Sequence, residues 1–195
     1  MSAPKVLVIP GSLRSGSHNA RLAALAAKEL ALAGAEVTRI SFEDYVLPLF
    51  DADVAGASEL PQAAVRLKRM LMAHRGVFIT SPEYSASVTP LLKNAIDWVS
   101  RVRDRGEPTY AAFKDRVFAI GAAANSGNGG LRSLMALRQI LELGCGALVI
   151  PEQVAVPRAE QAFDDRDNLK DESLMAALKA MARRLVELAS LMRQA

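Results

Sequence analysis

Three features of the 195-residue chain predict an α/β fold with a parallel sheet covered by helices on both faces. Short apolar, mostly β-branched runs alternate with longer runs of helical periodicity, five times over. No internal repeat or interdomain linker interrupts the alternation, so residues 1–195 read as one domain. Right-handed crossovers between such units build a parallel sheet. Loops rich in glycine, serine or proline follow the first, third and fourth strands, and in such a sheet they gather at the carboxyl edge, where ligands bind.

The first strand, Val6 to Ile9, lacks polar residues, as a strand buried on both faces does. A helix from Asn19 to Ala33 follows, closed by Gly34, a residue suited to a left-handed C′ position. Glu36 to Ile40 is a short strand, and Ser41 to Ser58 a long irregular connection. Leu60, Ala64, Leu67 and Leu71 share one face of a helix reaching His74. Gly76 to Thr80 forms the third strand, and the loop 81–87 follows. Thr89 caps and Pro90 opens the next helix, whose apolar face carries Leu91, Leu92, Ala95, Ile96, Val99 and Val102. Arg116 to Ile120 is the fourth strand, the loop 125–130 follows it, and Leu131 to Leu143 is helical. Ala147 to Ile150 is the fifth strand, Pro151 to Asp171 is irregular, and the final helix repeats apolar residues from Leu174 to Met192.

Composition narrows the function. The chain is 51% hydrophobic with no apolar run long enough to span a bilayer, and strand one begins too early for a signal peptide, so a cytoplasmic location without membrane contact is expected. One cysteine, Cys145, excludes an internal disulfide framework. The net charge of +3 is scattered, with no basic stripe interleaved with aromatics, which argues against nucleic acid.

The loop after strand one carries the chemistry. Strand, hydroxyl-rich loop and helix N-terminus together present unpaired backbone N–H groups and a positive dipole end to an anion. Ser12, Ser17 and Asn19 add donors, Arg14 adds a permanently charged fork, and His18 lies in the same loop. A Walker A loop would end in Gly-Lys-Ser/Thr, which is absent. A dinucleotide fingerprint needs glycine two places after Gly11, where Leu13 stands. A mononucleotide phosphate remains, with an ordinary serine-rich turn and N-cap as the alternative.

Gly11-Ser12-Leu13-Arg14 with Ser17 and Asn19, Pro82-Glu83-Tyr84, Leu92-Lys93-Asn94-Ala95-Ile96-Asp97-Trp98, and Gly127 with Gly129-Gly130 occur in this order along the chain. In this the sequence resembles the NAD(P)H-dependent FMN reductases, a group that includes bacterial quinone, chromate and azo-dye reductases. The resemblance implies a flavodoxin-like three-layer sandwich with five parallel strands in the order 2-1-3-4-5. It implies FMN as bound cofactor and NADPH or NADH as substrate, with hydride passing through flavin N5 to a small-molecule electron acceptor in ping-pong fashion. Ser12, Arg14, Ser17 and Asn19 would hold the phosphate, with His18 beside them. The loop Pro82, Glu83, Tyr84, Ser85 would bond the polar ring edge, and Ser126 and Gly127 would border the other end. No residue would act as general acid or base. The helix 90–103 would pair copies into a homodimer or a tetramer of dimers. Ser85 departs from the family, where asparagine is common.

Other functions remain open to the sequence: a flavodoxin-type electron carrier, though carriers are strongly acidic and aromatic-rich, or a phosphate-binding regulatory domain without flavin. Smaller features have plain readings. Cys145 reads as a small buried hydrophobe, His74 as a surface residue at a helix end, and Asp164, Asp165 and Asp167 as a solvated turn. Two distant histidines and one cysteine argue against zinc. Glu83 reads as part of a loop that positions backbone, with acid–base work as the alternative. Trp98 and Arg101 suit either core packing with a surface charge or an interface.

Overall fold

In the computed structural model, which describes residues 3–55 and 60–192, five parallel strands form one sheet in the order β2-β1-β3-β4-β5. They are β1 (Lys5–Pro10), β2 (Glu36–Arg39), β3 (Gly76–Thr80), β4 (Val117–Ala123) and β5 (Leu148–Val156). The helices are α1 (His18–Leu32), the single turn α2 (Ala52–Ala55), α3 (Gln62–Met72), α4 (Pro90–Arg101), α5 (Leu131–Gln139), the short α6 (Ala159–Ala162) and α7 (Glu172–Leu191). Alternation along each strand builds the two outer layers. Val6 and Val8 face α1 and α7, in a core with Leu22, Met181 and Leu185. Leu7 and Ile9 face the opposite layer, with Leu67, Ile96 and Leu137 from α3, α4 and α5.

The winding reverses between β1 and β3. The chain steps from β1 outward to β2, then crosses to β3 on the other side, so the loops after β1 and β3 diverge and leave a crevice. The predicted order 2-1-3-4-5 and the flavodoxin-like fold are therefore present.

Several boundaries differ from the sequence reading for physical reasons. β4 runs on through Gly121-Ala122-Ala123, small residues of low strand propensity, because β5 extends alongside them. β5 in turn continues past Pro151, where an irregular segment was expected. Phe118 pairs with Val149 but Ile120 with Gln153, so Ala119 alone faces the extra residues of a bulge. β5 is an edge strand, where a proline lacking an N–H is tolerated. The Arg138 guanidinium fills the bulge, donating to Ile150 O at 2.9 Å and to Gln153 Oε1 at 3.2 Å. The connection after β2 contains a 3₁₀ turn, Phe42–Asp44, and α2; its last part, 56–58, lies outside the described residues. The helix after the glycine loop finishes in a π turn, Ile140–Gly144.

His74 is buried, not a surface residue, with Nδ1 2.6 Å from Met70 O, and burial holds its pKa below the usual imidazole value. Trp98 takes the core reading: it is fully buried, donates from Nε1 to Pro48 O at 2.7 Å and meets Phe50 edge-on. Asn94, one turn earlier, donates to the same Pro48 carbonyl and accepts from Phe50 N, so this part of the α4 motif anchors the segment 48–50. Cys145 is buried, and burial pushes its thiol up to about 11. Asp164 caps its own turn by accepting from Arg166 N and Asn168 N.

Candidate functional site

Gly11 sets how closely the first loop meets β3. Its N–H donates to Thr80 O at 2.7 Å, and a Cβ there would lie 2.6 Å from that oxygen. Thr89 locks the other side. It caps α4 by accepting from Leu92 N and donates from Oγ1 to Gly11 O at 2.9 Å.

Beyond this join the chain rises into the hydroxyl loop. Ser12 Oγ accepts from Arg14 N at 3.2 Å, and Ser17 Oγ caps α1 by accepting from Ala20 N at 3.4 Å. Each hydroxyl thus uses a lone pair on its own backbone and keeps its O–H proton for an outside acceptor. Arg14 is exposed, and among the described residues its guanidinium reaches only Gly16 O, at 3.4 Å. His18 Nδ1 is buried without a hydrogen-bond partner among the described residues. Burial first, then the guanidiniums of Arg14 and Arg21, lower the His18 pKa.

A cleft of about 270 Å³ opens here. Ser12, Arg14, Ser17, His18 and Asn19 line it from the first loop and helix, and Pro82, Glu83 and Tyr84 from the second loop. Ala123, Ala124 and Asn125 complete it from the end of β4. Ser85, Ser126 and Gly127 stand outside its lining. Sequence reading missed the β4 contribution. The available signal was the run of small residues from Gly121 to Ala124, which lets a ligand approach the strand end closely.

The second loop is held in an unusual way. Tyr84 and Ser87 exchange backbone hydrogen bonds of 3.0 and 2.9 Å, closing a tight turn whose central residues, Ser85 and Ala86, have φ of 48° and 62°. Two positive φ angles in succession are the signature of a type I′ turn, where Asn-Gly is preferred. Ser85 therefore bears on backbone strain.

Glu83 anchors this turn from below. Its side chain, 6% exposed, accepts from Arg132 Nε at 2.7 Å and from the Arg132 backbone N–H at 3.1 Å, and forms an ion pair with the Arg132 guanidinium. Burial alone would raise its pKa, but the hydrogen bonds and charge of Arg132 outweigh burial and hold it low. Glu83 is thus an ionised N-terminal cap of α5.

Ser126 donates to Asn128 Oδ1 at 2.6 Å, and Gly130 N–H donates to the same oxygen at 3.2 Å. Gly129 must be glycine, because a Cβ would sit 2.8 Å from the Pro157 nitrogen. The 125–130 loop is pinned by the chain after β5: Ala159 N–H donates to Ala124 O and Glu160 N–H to Asn125 Oδ1.

These groups fit an FMN phosphate. Free hydroxyl protons, the exposed guanidinium of Arg14, a helix N-terminus and the imidazole of His18 all line the cleft. Pro82, Glu83, Tyr84, the small Ala123 and Ala124, and Asn125 complete the lining. Among the described residues no group of three or more His, Cys, Asp or Glu could hold a metal ion.

The chain is similar to several known proteins. Among solved structures, the flavoenzyme NAD(P)H:(acceptor) oxidoreductase FerB of Paracoccus denitrificans superposes with a TM-score of 0.78 at 24% identity, covering 97% of this chain and 98% of that one. An NAD(P)H-dependent FMN reductase of Pseudomonas aeruginosa is 34% identical over 93% of this chain and 96% of its own. A quinone reductase of Escherichia coli is 38% identical over 70% of this chain and 69% of its own. The family model described as NADPH-dependent FMN reductase matches residues 4–161, and the chain belongs to that family.

Proposed function

We propose that this FMN-dependent NAD(P)H oxidoreductase delivers its electrons to quinones and similar small electron-poor acceptors. Family membership supports the cofactor and the nicotinamide substrate. The observation that carries the reading is the cradle of free donors at the switch point, suited to a phosphate monoester and lacking the signatures of triphosphate or dinucleotide loops. Quinone reductases among the relatives support the acceptor class, as does the character of the neighbouring surface. A second cleft of about 230 Å³ shares Ser12, Arg14 and Tyr84 with the first and adds Leu13, Pro90 and Leu91. It adjoins a third, lined by Leu13, Tyr45, Val46, Leu47 and Leu91. An apolar flank of this kind suits a planar organic acceptor better than a metal oxyanion.

Bound FMN supplies two-electron chemistry at ring N5. The protein's part is binding and orientation: Ser12, Arg14, Ser17 and His18 for the phosphate, and backbone around Pro82, Glu83, Tyr84 and Ser85 for the polar ring edge, with Ser126 and Gly127 beyond it. Fixed N–H donors at that edge favour the more negative, reduced ring. Glu83, ionised and paired, has no proton to offer. One cleft would serve donor and acceptor in turn, and parallel initial-rate plots are the expected outcome. We further place the protein in the cytoplasm as one domain, paired into homodimers or a tetramer of dimers through residues 90–103. Among the described residues no helix is long and apolar enough to cross a membrane.

The test is an absorbance spectrum of the protein with added FMN, then anaerobic NADPH, then a soluble quinone. Flavin bands that bleach with NADPH and return with the quinone are the expected result. Flavin that binds but resists NADPH would indicate an electron carrier, and absence of binding would overturn the reading of the cleft.

A further inference from the structure

Asn19 occupies the motif position that the family resemblance assigns to the phosphate, yet its side chain faces elsewhere. It is 3% exposed. Nδ2 donates to Ala123 O at 2.8 Å, and Oδ1 accepts from Ala123 N–H at 3.0 Å. This two-point pairing fixes which end of the amide is which and engages both of its polar atoms. Ala123 is the last residue of β4 and lines the cleft. The Asn19 backbone carbonyl accepts from Thr80 Oγ1 at 3.0 Å, and Thr80, fully buried, is the last residue of β3. The Thr80 carbonyl in turn accepts from Gly11 N–H, at the exit of β1. One residue in the first turn of α1 therefore connects, directly or through Thr80, the ends of β1, β3 and β4, from which all three cleft loops depart.

We infer that Asn19 is a positioning residue that sets the spacing between the phosphate loop and the ring-edge loops, with its side chain contributing no phosphate contact. The inference rests on the cleft being the FMN site. It distinguishes Asn19 from Ser12 and Ser17, whose hydroxyl protons are free, and from Arg14, whose guanidinium makes one long contact to Gly16 O. A phosphate ligand discriminates FMN from riboflavin, which lacks the phosphate. A spacer between loops acts on both flavins alike.

The experiment measures the affinity of the purified apoprotein for FMN and for riboflavin by quenching of flavin fluorescence, well below the melting transition. Asn19→Asp keeps the shape and the acceptor for Ala123 N–H, but it sets a carboxylate oxygen against Ala123 O with no proton between them. Asn19→Ala removes both bonds. Each variant is expected to weaken FMN and riboflavin by the same factor, tenfold or more, leaving their ratio at the wild-type value. A loss confined to FMN would overturn the inference, and so would unchanged affinities, since a residue that only stabilised the fold would lower Tm and leave both affinities in place.

A second measurement needs no variant. In wild-type apoprotein, the Asn19 side-chain NH₂ resonances should hold still when inorganic phosphate is added, while the backbone N–H of His18 shifts. Movement of the Asn19 side-chain signals equal to that of His18 would overturn the inference. Failure of the wild-type protein to bind either flavin would overturn the reading of the cleft, and this inference with it.

Discussion

The two ends of the cleft are built by opposite means. The phosphate end follows local rules: a serine caps a helix, a second serine closes a turn two residues long, and an arginine stands free in solvent. The side-chain hydrogen bonds of Ser12, Arg14 and Ser17 each span three residues or fewer, and none requires strain. The ring-edge end depends on distant partners and on backbone that its residues disfavour. Ser85 and Ala86 sit in the left-handed region, and the turn is secured by an ion pair between Glu83 and Arg132, 49 residues apart. The difference teaches that one end can be altered without touching the fold, whereas altering the other changes fold stability and site geometry together.

The largest effect expected from this contrast is in binding. Arg14→Ala should weaken FMN by about 10- to 100-fold, the value of a charge-assisted bond to phosphate of roughly 1.5–3 kcal/mol. Riboflavin affinity and Tm should not move, because Arg14 makes a single long contact within the protein. A fall in Tm or in riboflavin affinity would show that the phosphate end is not independent.

At the ring edge the order reverses, and stability responds first. Glu83→Gln keeps the size of the side chain and removes its charge from a nearly buried position. Arg132 remains over half exposed and can return to water, which discounts the loss to about 1–2 kcal/mol, or a Tm lower by roughly 2–8 °C in a domain of this size. The sign with pH is fixed by the lowered Glu83 pKa. Its contribution is fully present above the unfolded value of 4.5 and fades as pH falls through the lower folded value. The gap in unfolding free energy between wild type and Glu83→Gln should therefore close in acid, and a gap that persisted there would assign the effect to packing.

The same asymmetry decides how much of the molecule was legible in its sequence. Alternating patterns locate the strands and helices, since burial on one or two faces leaves a period, and the loop proposed for the phosphate stands out because its polar residues are contiguous. The continuation of β5 past Pro151 was not legible. It depends on an edge position and on Arg138 reaching back into the bulge, and both are tertiary facts. The pairing of Asn19 with Ala123 crosses 104 residues and leaves no local mark. His74 misled for a related reason: a histidine at a helix end suits the dipole, but here the following strand carries it into the interior. The role of Ser85 was half visible. The departure from asparagine could be seen in the sequence, whereas the positive φ that gives it an energetic meaning could not.

That positive φ yields a smaller, stabilising prediction. A left-handed residue other than glycine costs about 1–2 kcal/mol, and a glycine returns roughly half of that through unfolded-state entropy. Ala86→Gly should therefore stabilise the apoprotein by about 0.5–1 kcal/mol, seen as a Tm higher by roughly 1–4 °C. Ser85→Asn should add a few tenths, because asparagine tolerates this region better than serine does. If Ala86→Gly instead lowered Tm, the turn would not be the strained element that distinguishes the ring edge from the phosphate end.

The smallest effect returns to the phosphate end and concerns His18. In the apoprotein its pKa lies below 6.5, because burial and two guanidiniums disfavour the charged ring. A phosphate placed beside it would favour that charged form, so binding draws a proton onto His18 and tightens as pH falls. The phosphate group itself takes up a proton in the same range, which makes the raw pH profile of FMN affinity uninformative. The informative quantity is the ratio of wild-type to His18→Gln affinity, since the ligand's own titration cancels from it. That ratio should grow by about two- to fivefold as pH falls from about 7.5 to 5.5, the range in which an imidazole gains its charge. A flat ratio would leave Nδ1 as a neutral neighbour of the phosphate, with Arg14 the cationic side chain of the cleft lining that acts on it.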